Sequence, residues 1–211
     1  MMLPYTTEVW FAALAEYHAT WYPGPVLMTL AAVSAFVAGF RGGPAGGRAA
    51  FWFLAALWFW VGAVHQILHM ASLDFMAPVY GGAWIAGGVL FAAYAGFRRD
   101  TRLIFTGDAQ GQAALALVLL GLIAYPLAGL ALGYGWQSVP LAGAAPDPTA
   151  ILTAGMVLAL RRPPLWLFVP PLLWAVVAGI SAWLLGFPLF YAVPAAVTVA
   201  LGLALRDRMR G

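Results

Sequence analysis

Long apolar stretches separated by small groups of arginine residues constrain the fold of this chain more than any other feature. The stretches approach the roughly 20 residues that one helical crossing of a bilayer requires. Charged residues occupy only 8% of the 211 positions and apolar residues 64%, whereas a soluble domain carries charges at about a quarter of its positions. Because backbone N–H and C=O groups must pair with each other in lipid, the sequence predicts an all-α integral membrane protein.

Seven apolar segments are predicted to span the membrane within a single transmembrane domain over residues 1–211. Residues 1–22 are predicted to precede them as a short amphipathic helix at the membrane surface. Predicted helix 5 is short, because Arg161 and Arg162 end it after about 13 residues, or ~20 Å. The seven predicted helices cover residues 26–40, 49–70, 79–97, 113–132, 148–160, 165–185 and 189–205.

The cationic residues set the predicted orientation of these helices. All ten are arginines, and they lie within residues 41–48, 98–102, 161–162 and 206–210. With seven spans, all four groups fall on the same side of the membrane. The positive-inside rule makes that side cytoplasmic. We therefore expect an outside N-terminus, a cytoplasmic C-terminus and a location in the bacterial inner membrane.

Several classes of chemistry are excluded by the residues that the chain lacks. Without lysine there is no Schiff base to retinal or pyridoxal phosphate, and without cysteine there are no disulfides, thiolate metal sites or iron–sulfur clusters. The chain has no H-E-x-x-H motif, no G-x-S-x-G setting and no phosphate-binding Gly-Lys loop. An enzymatic function is therefore not expected. The net charge of +3 reflects topology, and no nucleic-acid partner is expected.

The three histidines all fall on the outward side of the predicted membrane. His65 and His69 are four residues apart and share one face of a helix. Together with His18 and a carboxylate such as Glu16 or Asp74, they could bind a metal ion, or one of them could be the axial ligand of a haem. Alternatively, His69 is an interfacial residue bonded to Asp74, and His65 packs inside the bundle. The sequence requires no cofactor, so metal and haem remain candidates.

The start of predicted helix 5 is the second polar feature. Asp147 suits the N-cap position and Pro148 the first helical position, and Thr149 and Thr153 follow on one face. Irregular, Pro-rich backbone before a short helix is typical of the discontinuous helices of transporters. If the loop over residues 133–148 turns inward, Asp147 would line a cavity that favours a cation. Otherwise the loop covers a capped short helix.

The leading functional hypothesis is a non-enzymatic membrane protein that binds or passes a small ligand or ion through an outward-facing polar cavity. Its expected ligand-binding residues are Asp74, Asp147, Thr149 and Thr153. One alternative is an accessory subunit of a larger membrane complex, and another is a redox protein that holds a metal or haem. The expected partners are the lipid bilayer, the small ligand or ion, and a complex partner or a second copy of the chain.

Three motifs resemble those of an uncharacterised bacterial family of multi-pass membrane proteins, which is a domain of unknown function. They lie at residues 17–23, at residues 145–153, and at residues 170–174 together with Gly179. The second, APDPTAILT, is similar to the family's Ala-Pro-Cys-Pro-Thr-Thr-Ile-Phe-Thr. The resemblance covers about Glu8 to Ala200 and implies the same multi-pass architecture without assigning an activity.

The chain departs from the pattern of that family at two places. The family has Cys where this chain has Asp147, and Tyr-His where this chain has His65-Gln66. The resemblance therefore implies no thiol-dependent role here.

Overall fold

The structure is a computed structural model that describes residues 6–105, 107–132 and 135–210. Helices joined by short turns make up most of this part of the chain. The α-helices are α1 (Thr7–Thr20), α2 (Gly24–Phe40), α3 (Gly43–Trp60), α4 (Ala77–Phe97), α5 (Ala109–Leu119), α6 (Tyr125–Ala131), α7 (Pro146–Leu158), α8 (Val169–Leu185) and α9 (Ala192–Arg210). Two π-helical segments, Val61–His69 and Leu120–Ala124, extend α3 and join α5 to α6. Short 3₁₀ turns lie at Met70–Ser72, Trp136–Ser138, Leu165–Phe168 and Pro188–Tyr191.

Five helical stretches in the described residues are long and apolar enough to cross a membrane. They are Gly43–Ser72, Ala77–Phe97, Ala109–Ala131, Leu165–Leu185 and Pro188–Met209. A sixth is added if α1 and α2, which meet at a bend of 93°, count as one span. The predicted helical class is thus confirmed. Length and composition do not by themselves establish seven spans, because α7 has only 13 residues and α2 qualifies only together with α1.

Helices α2, α3, α4, α5 and α7 begin earlier than the sequence predicts, because their first turns tolerate residues that usually mark loops. Helix α3 begins at Gly43 and includes Pro44, and α7 begins at Pro146. Proline fits the first turn of a helix because its missing N–H group would have no intrahelical partner there. Helix α5 begins at Ala109 because the Asp108 carboxylate accepts a hydrogen bond from the N–H of Gly111 at 2.8 Å.

Helix α7 is enclosed by the rest of the bundle, and all 13 of its residues are buried. It packs against α2, α3, α5, α8 and α9. Glycines allow the closest of these contacts: a Cβ atom at Gly121 would lie 2.7 Å from the Pro148 carbonyl oxygen, and one at Gly155 would lie 2.9 Å from that of Ala114. Because neighbours cover α7 on every side, its terminal backbone groups need partners within the protein.

The side chain of Gln110 supplies those partners at the C-terminal end of α7. Its amide nitrogen donates to the carbonyl oxygens of Leu158 at 2.7 Å and Leu160 at 3.0 Å. Gln110 is buried at the start of α5, so α5 and α7 run antiparallel with these two ends joined.

Replacing Gln110 by leucine is expected to destabilise the protein by about 1–3 kcal/mol, because two buried carbonyl groups would lose their donor. The midpoint of thermal unfolding in mild detergent measures this loss. Gln112→Leu is the matched control, since Gln112 is exposed on the same helix. Equal midpoints for the two variants would contradict the capping role of Gln110.

The chain before α7 turns into the bundle. Of residues 139–145, all except Leu141 are buried. The N–H of Gly143 donates to Oγ1 of Thr149 at 2.7 Å, and the same hydroxyl donates to the Ala145 carbonyl oxygen. These bonds fix the loop to the first turn of α7. Buried non-helical backbone is stable here because the surrounding protein supplies its hydrogen-bond partners.

Candidate functional site

The carboxylate of Asp147 is held in the interior by residues of two other helices. The Tyr125 hydroxyl donates to its Oδ2 at 2.6 Å, and the Trp174 indole N–H donates to its Oδ1 at 2.8 Å. The side chain is only 5% exposed. The predicted N-cap role is corrected, because α7 begins at Pro146 and its N-cap is Ala145. Asp147 instead lies in the first turn, where the helix dipole favours negative charge.

Asp147 lines a cavity, here called the Asp147 cavity, that lies between α1, the π-helical end of α3, α4 and α8. It has a free volume of about 530 Å³, its open mouth included. Its polar lining consists of His65, Gln66, Asp74, Tyr80, Asp147 and Ser181. The rings of Trp10, Trp174 and Phe190 form part of the remaining wall. No arginine is among the described residues that line it, so two carboxylates share a cavity without a cationic side chain.

The structure brings together two of the four residues predicted to bind a ligand. Asp74 lies in the same cavity as Asp147, where its Oδ1 accepts a hydrogen bond from the N–H of Met76 at 2.9 Å. Thr149 and Thr153 do not line the cavity. Their hydroxyls bond within the protein, because Thr149 binds the loop before α7 and Thr153 donates to the Thr149 carbonyl oxygen at 2.7 Å.

The three histidines converge on the ring of Tyr17. The centroid of this ring lies 4.9 Å from that of His65 and 5.4 Å from those of His18 and His69. Of the three, His65 lines the Asp147 cavity. It is 2% exposed, and its buried Nδ1 forms no hydrogen bond to the described residues. His65 is therefore a buried polar group that is available to a ligand.

The other two histidines bond to backbone carbonyl groups. Nε2 of His69 donates to the Ala13 oxygen at 2.8 Å, and Nδ1 of His18 donates to the Gln137 oxygen at 2.9 Å. The expected hydrogen bond between His69 and Asp74 is therefore not formed. The carbonyl of Ala13 takes its place because α1 packs over the end of α3.

The residues proposed as metal ligands lie around separate spaces. Glu16 and His69 line an open groove beside α1, whereas His65 faces the Asp147 cavity. Within the part of the chain that the structure describes, no three His, Asp or Glu side chains are grouped to hold a metal ion. The metal and haem hypotheses therefore rest on sequence spacing and stay predictions.

The sequence profile of DUF6064, a family of unknown function, matches residues 7–211. The chain belongs to the DUF6064 family. It matches neither a curated protein nor a solved structure. The predicted membership of an uncharacterised family is thus confirmed, while the bacterial and multi-pass character of the DUF6064 relatives and the motif at residues 145–153 stay predictions.

Sequence reasoning missed the groups of this DUF6064 chain that hold the Asp147 carboxylate. Trp174 belongs to the third motif, and its position after two consecutive prolines could have marked it as a candidate site residue. Tyr125 carries no such signal within its apolar helix. Nothing in the residue pattern indicates that His65 and Gln66 lie on a π-helical segment, although π-helical turns recur at functional sites.

Proposed function

We propose that this protein is a seven-span protein of the bacterial inner membrane whose outward-facing Asp147 cavity binds or passes a cation. Contacts among the four arginine groups support a shared cytoplasmic side. The Arg48 guanidinium donates to the Ala95 carbonyl oxygen at 3.1 Å, Leu103 forms a backbone bridge to Leu160, and Arg208 donates to the Pro163 carbonyl oxygen at 3.4 Å.

The seventh span in this proposal is α7 together with the buried loop before it. Helix α7 is about 20 Å long at 1.5 Å per residue, short of the ~30 Å hydrocarbon core. The inward-turning residues 139–145 supply the remaining depth. Tyr125, which bonds Asp147, precedes the end of α6 by about 9 Å of helix. Asp147 then lies below the outer surface, within the apolar layer.

A topology measurement tests the seven-span proposal. A reporter fused after Gly211 is expected to remain cytoplasmic, and one fused before Met1 is expected to be outside. An odd number of spans requires opposite locations for the two reporters. Two reporters on the same side would contradict seven spans.

The buried carboxylate of Asp147 carries the functional proposal. An ionisable side chain within a membrane is costly and marks functional sites by default. Here the two hydrogen bonds and the helix dipole stabilise its negative charge, while Asp74 adds a second carboxylate to the cavity. With no arginine among the described lining residues, a mobile cation is the counter-charge that this arrangement favours.

Thermal unfolding of the purified protein in chloride salts of different cations tests cation binding. The salts are those of sodium, potassium, calcium, ammonium and methylammonium, at matched ionic strength. A cation that binds only the folded state raises the unfolding midpoint in a saturable way. We expect at least one of the salts to do so in the wild-type protein and to have no such effect in Asp147→Asn.

Asp147→Asn is suited to this experiment because asparagine removes the charge and stays within hydrogen-bond reach of both partners. Its oxygen can accept from Trp174, and its amide can donate to the Tyr125 oxygen, which reverses the direction of the wild-type bond from Tyr125. Asp108→Asn is the matched control, since it removes a carboxylate remote from the cavity and leaves a good N-cap residue. Equal salt effects in the wild type and Asp147→Asn would contradict the proposal. The accessory-subunit and redox hypotheses stay predictions from the sequence.

A further inference from the structure

We propose that the cation of the Asp147 cavity is an organic ammonium ion that carries N–H groups and an apolar substituent. This inference rests on the proposed function and specifies its ligand class. Three features of the cavity carry it: too few ligands for a bare metal ion, several unused hydrogen-bond acceptors, and an adjoining aromatic cleft.

The acidic groups of the cavity fit a bare metal ion poorly. Calcium takes six to eight oxygen ligands and transition metals usually take three or more protein ligands. Both oxygens of Asp147 accept hydrogen bonds from the protein, and one oxygen of Asp74 does so as well. The described part of the chain groups no three His, Asp or Glu side chains for a metal.

The same groups fit an ammonium ion, whose N–H groups need acceptors rather than a coordination shell. A primary ammonium offers three donors. The carboxylates of Asp147 and Asp74 retain lone pairs, because each oxygen can accept more than one bond. His65 is nine-tenths or more buried, forms no hydrogen bond to the described residues and lines the cavity. As a neutral imidazole it has one acceptor nitrogen for such a ligand.

An aromatic cleft continues from the cavity between α4 and α8, and we call it the tryptophan slot. Its walls include Trp58, Tyr80, Trp84, Pro170, Leu173 and Trp174, of which Tyr80 and Trp174 also line the Asp147 cavity. Its enclosed volume is about 40 Å³, room for roughly three water molecules, and its mouth is open. A short alkyl group or the edge of a ring bound here would bury apolar surface, and the rings of the slot would attract the adjacent cation.

Isothermal titration calorimetry of the full chain in mild detergent tests this inference with benzylammonium chloride as the probe. Benzyl alcohol is the uncharged analogue of the same shape, and it also reports partitioning into the micelle. Benzyltrimethylammonium lacks the N–H donors, and ammonium chloride lacks the ring. We expect benzylammonium to bind about tenfold or more tightly than each of the three.

The variants locate the binding in the cavity. Asp147→Asn is expected to lower the affinity for benzylammonium about tenfold or more, because it removes the charge that pairs with the ammonium. Asp108→Asn should bind like the wild type. His65→Phe keeps an aromatic ring but loses the acceptor nitrogen. It should therefore reduce the difference in affinity between benzylammonium and benzyltrimethylammonium. It supplies a second variant if Asp147→Asn does not elute like the folded wild-type protein on gel filtration.

Each outcome bears on the inference separately from the proposed function. Equal binding of benzyl alcohol and benzylammonium would overturn the inference, since the slot would then recognise only the ring. An inorganic cation that binds through Asp147 while benzylammonium does not would also overturn it and leave the proposed function standing. If no cation of either kind binds, both fail.

Discussion

Asp147→Ala is expected to destabilise the protein more than Asp147→Asn. Alanine leaves the Tyr125 hydroxyl and the Trp174 indole N–H without their acceptor in a buried site. Each buried donor left in this way costs about 1–3 kcal/mol. Asparagine preserves an acceptor for Trp174, and its amide can donate to the Tyr125 oxygen, although the Tyr125 hydroxyl proton then loses its acceptor. The alanine variant therefore removes the charge and both contacts of Asp147, whereas the asparagine variant removes the charge and reverses the direction of one contact.

Thermal unfolding and chemical denaturation in mild detergent measure the two effects. Asp108→Ala is a matched control, because it removes an exposed N-cap whose loss costs about 0.5–2 kcal/mol. We expect Asp147→Ala to be the least stable of the three variants, because it alone removes both buried contacts of Asp147. An alanine variant as stable as the asparagine variant would contradict the claim that Asp147 organises the contact among α6, α7 and α8.

The helical class and the position of most helices follow from the sequence, because the lengths of the apolar segments and the positions of the prolines are local signals. Predicted helix 6 at residues 165–185 coincides with the stretch Leu165–Leu185. The predicted helix boundaries are wrong where a residue type occurs both in loops and in helices. Proline at 44 and 146 indicates a loop in general, yet it is tolerated in a first helical turn, so the predicted helix starts are too late.

The membership of the cavity is only partly predictable from the sequence. Asp74 and Asp147 are expected near each other because both are acidic groups of the same predicted outward side. Thr149 and Thr153 are expected to bind a ligand because they share a face of a short helix. Spacing cannot show that their hydroxyls are used by the backbone of their own helix and of the loop before it.

The convergence of the histidines is visible only in three dimensions. Sequence spacing joins His65 and His69, but it cannot show that α1 places Tyr17 in contact with both of them and with His18. The packing of α1 is hard to predict because its buried face is short, with Phe11, Leu14 and Tyr17 as the buried residues. The histidines that the sequence suggests as metal ligands therefore lie around an aromatic ring, and of the three only His65 lines the Asp147 cavity.

Gly143→Ala is expected to prevent the loop before α7 from reaching its position and to abolish cation binding through Asp147. Gly143 has a φ of +85°, a region that costs a residue with a Cβ atom about 1–3 kcal/mol. The added Cβ would also overlap the carbonyl oxygen of Met28, and backbone atoms cannot move aside as a flexible side chain can. Overpacking adds about 1–3 kcal/mol.

Gly135→Ala provides the matched control for this substitution. Gly135 lies earlier in the same connection and has a φ of −60°, and a Cβ atom added there would have no neighbouring atom within 4 Å. Its replacement should leave unchanged both the unfolding midpoint and the increase in that midpoint on cation binding. Gly143→Ala should lower the unfolding midpoint and abolish the increase. Wild-type behaviour of Gly143→Ala would mean that the buried loop does not position Asp147. Contacts outside this loop would then have to hold Asp147 in the cavity.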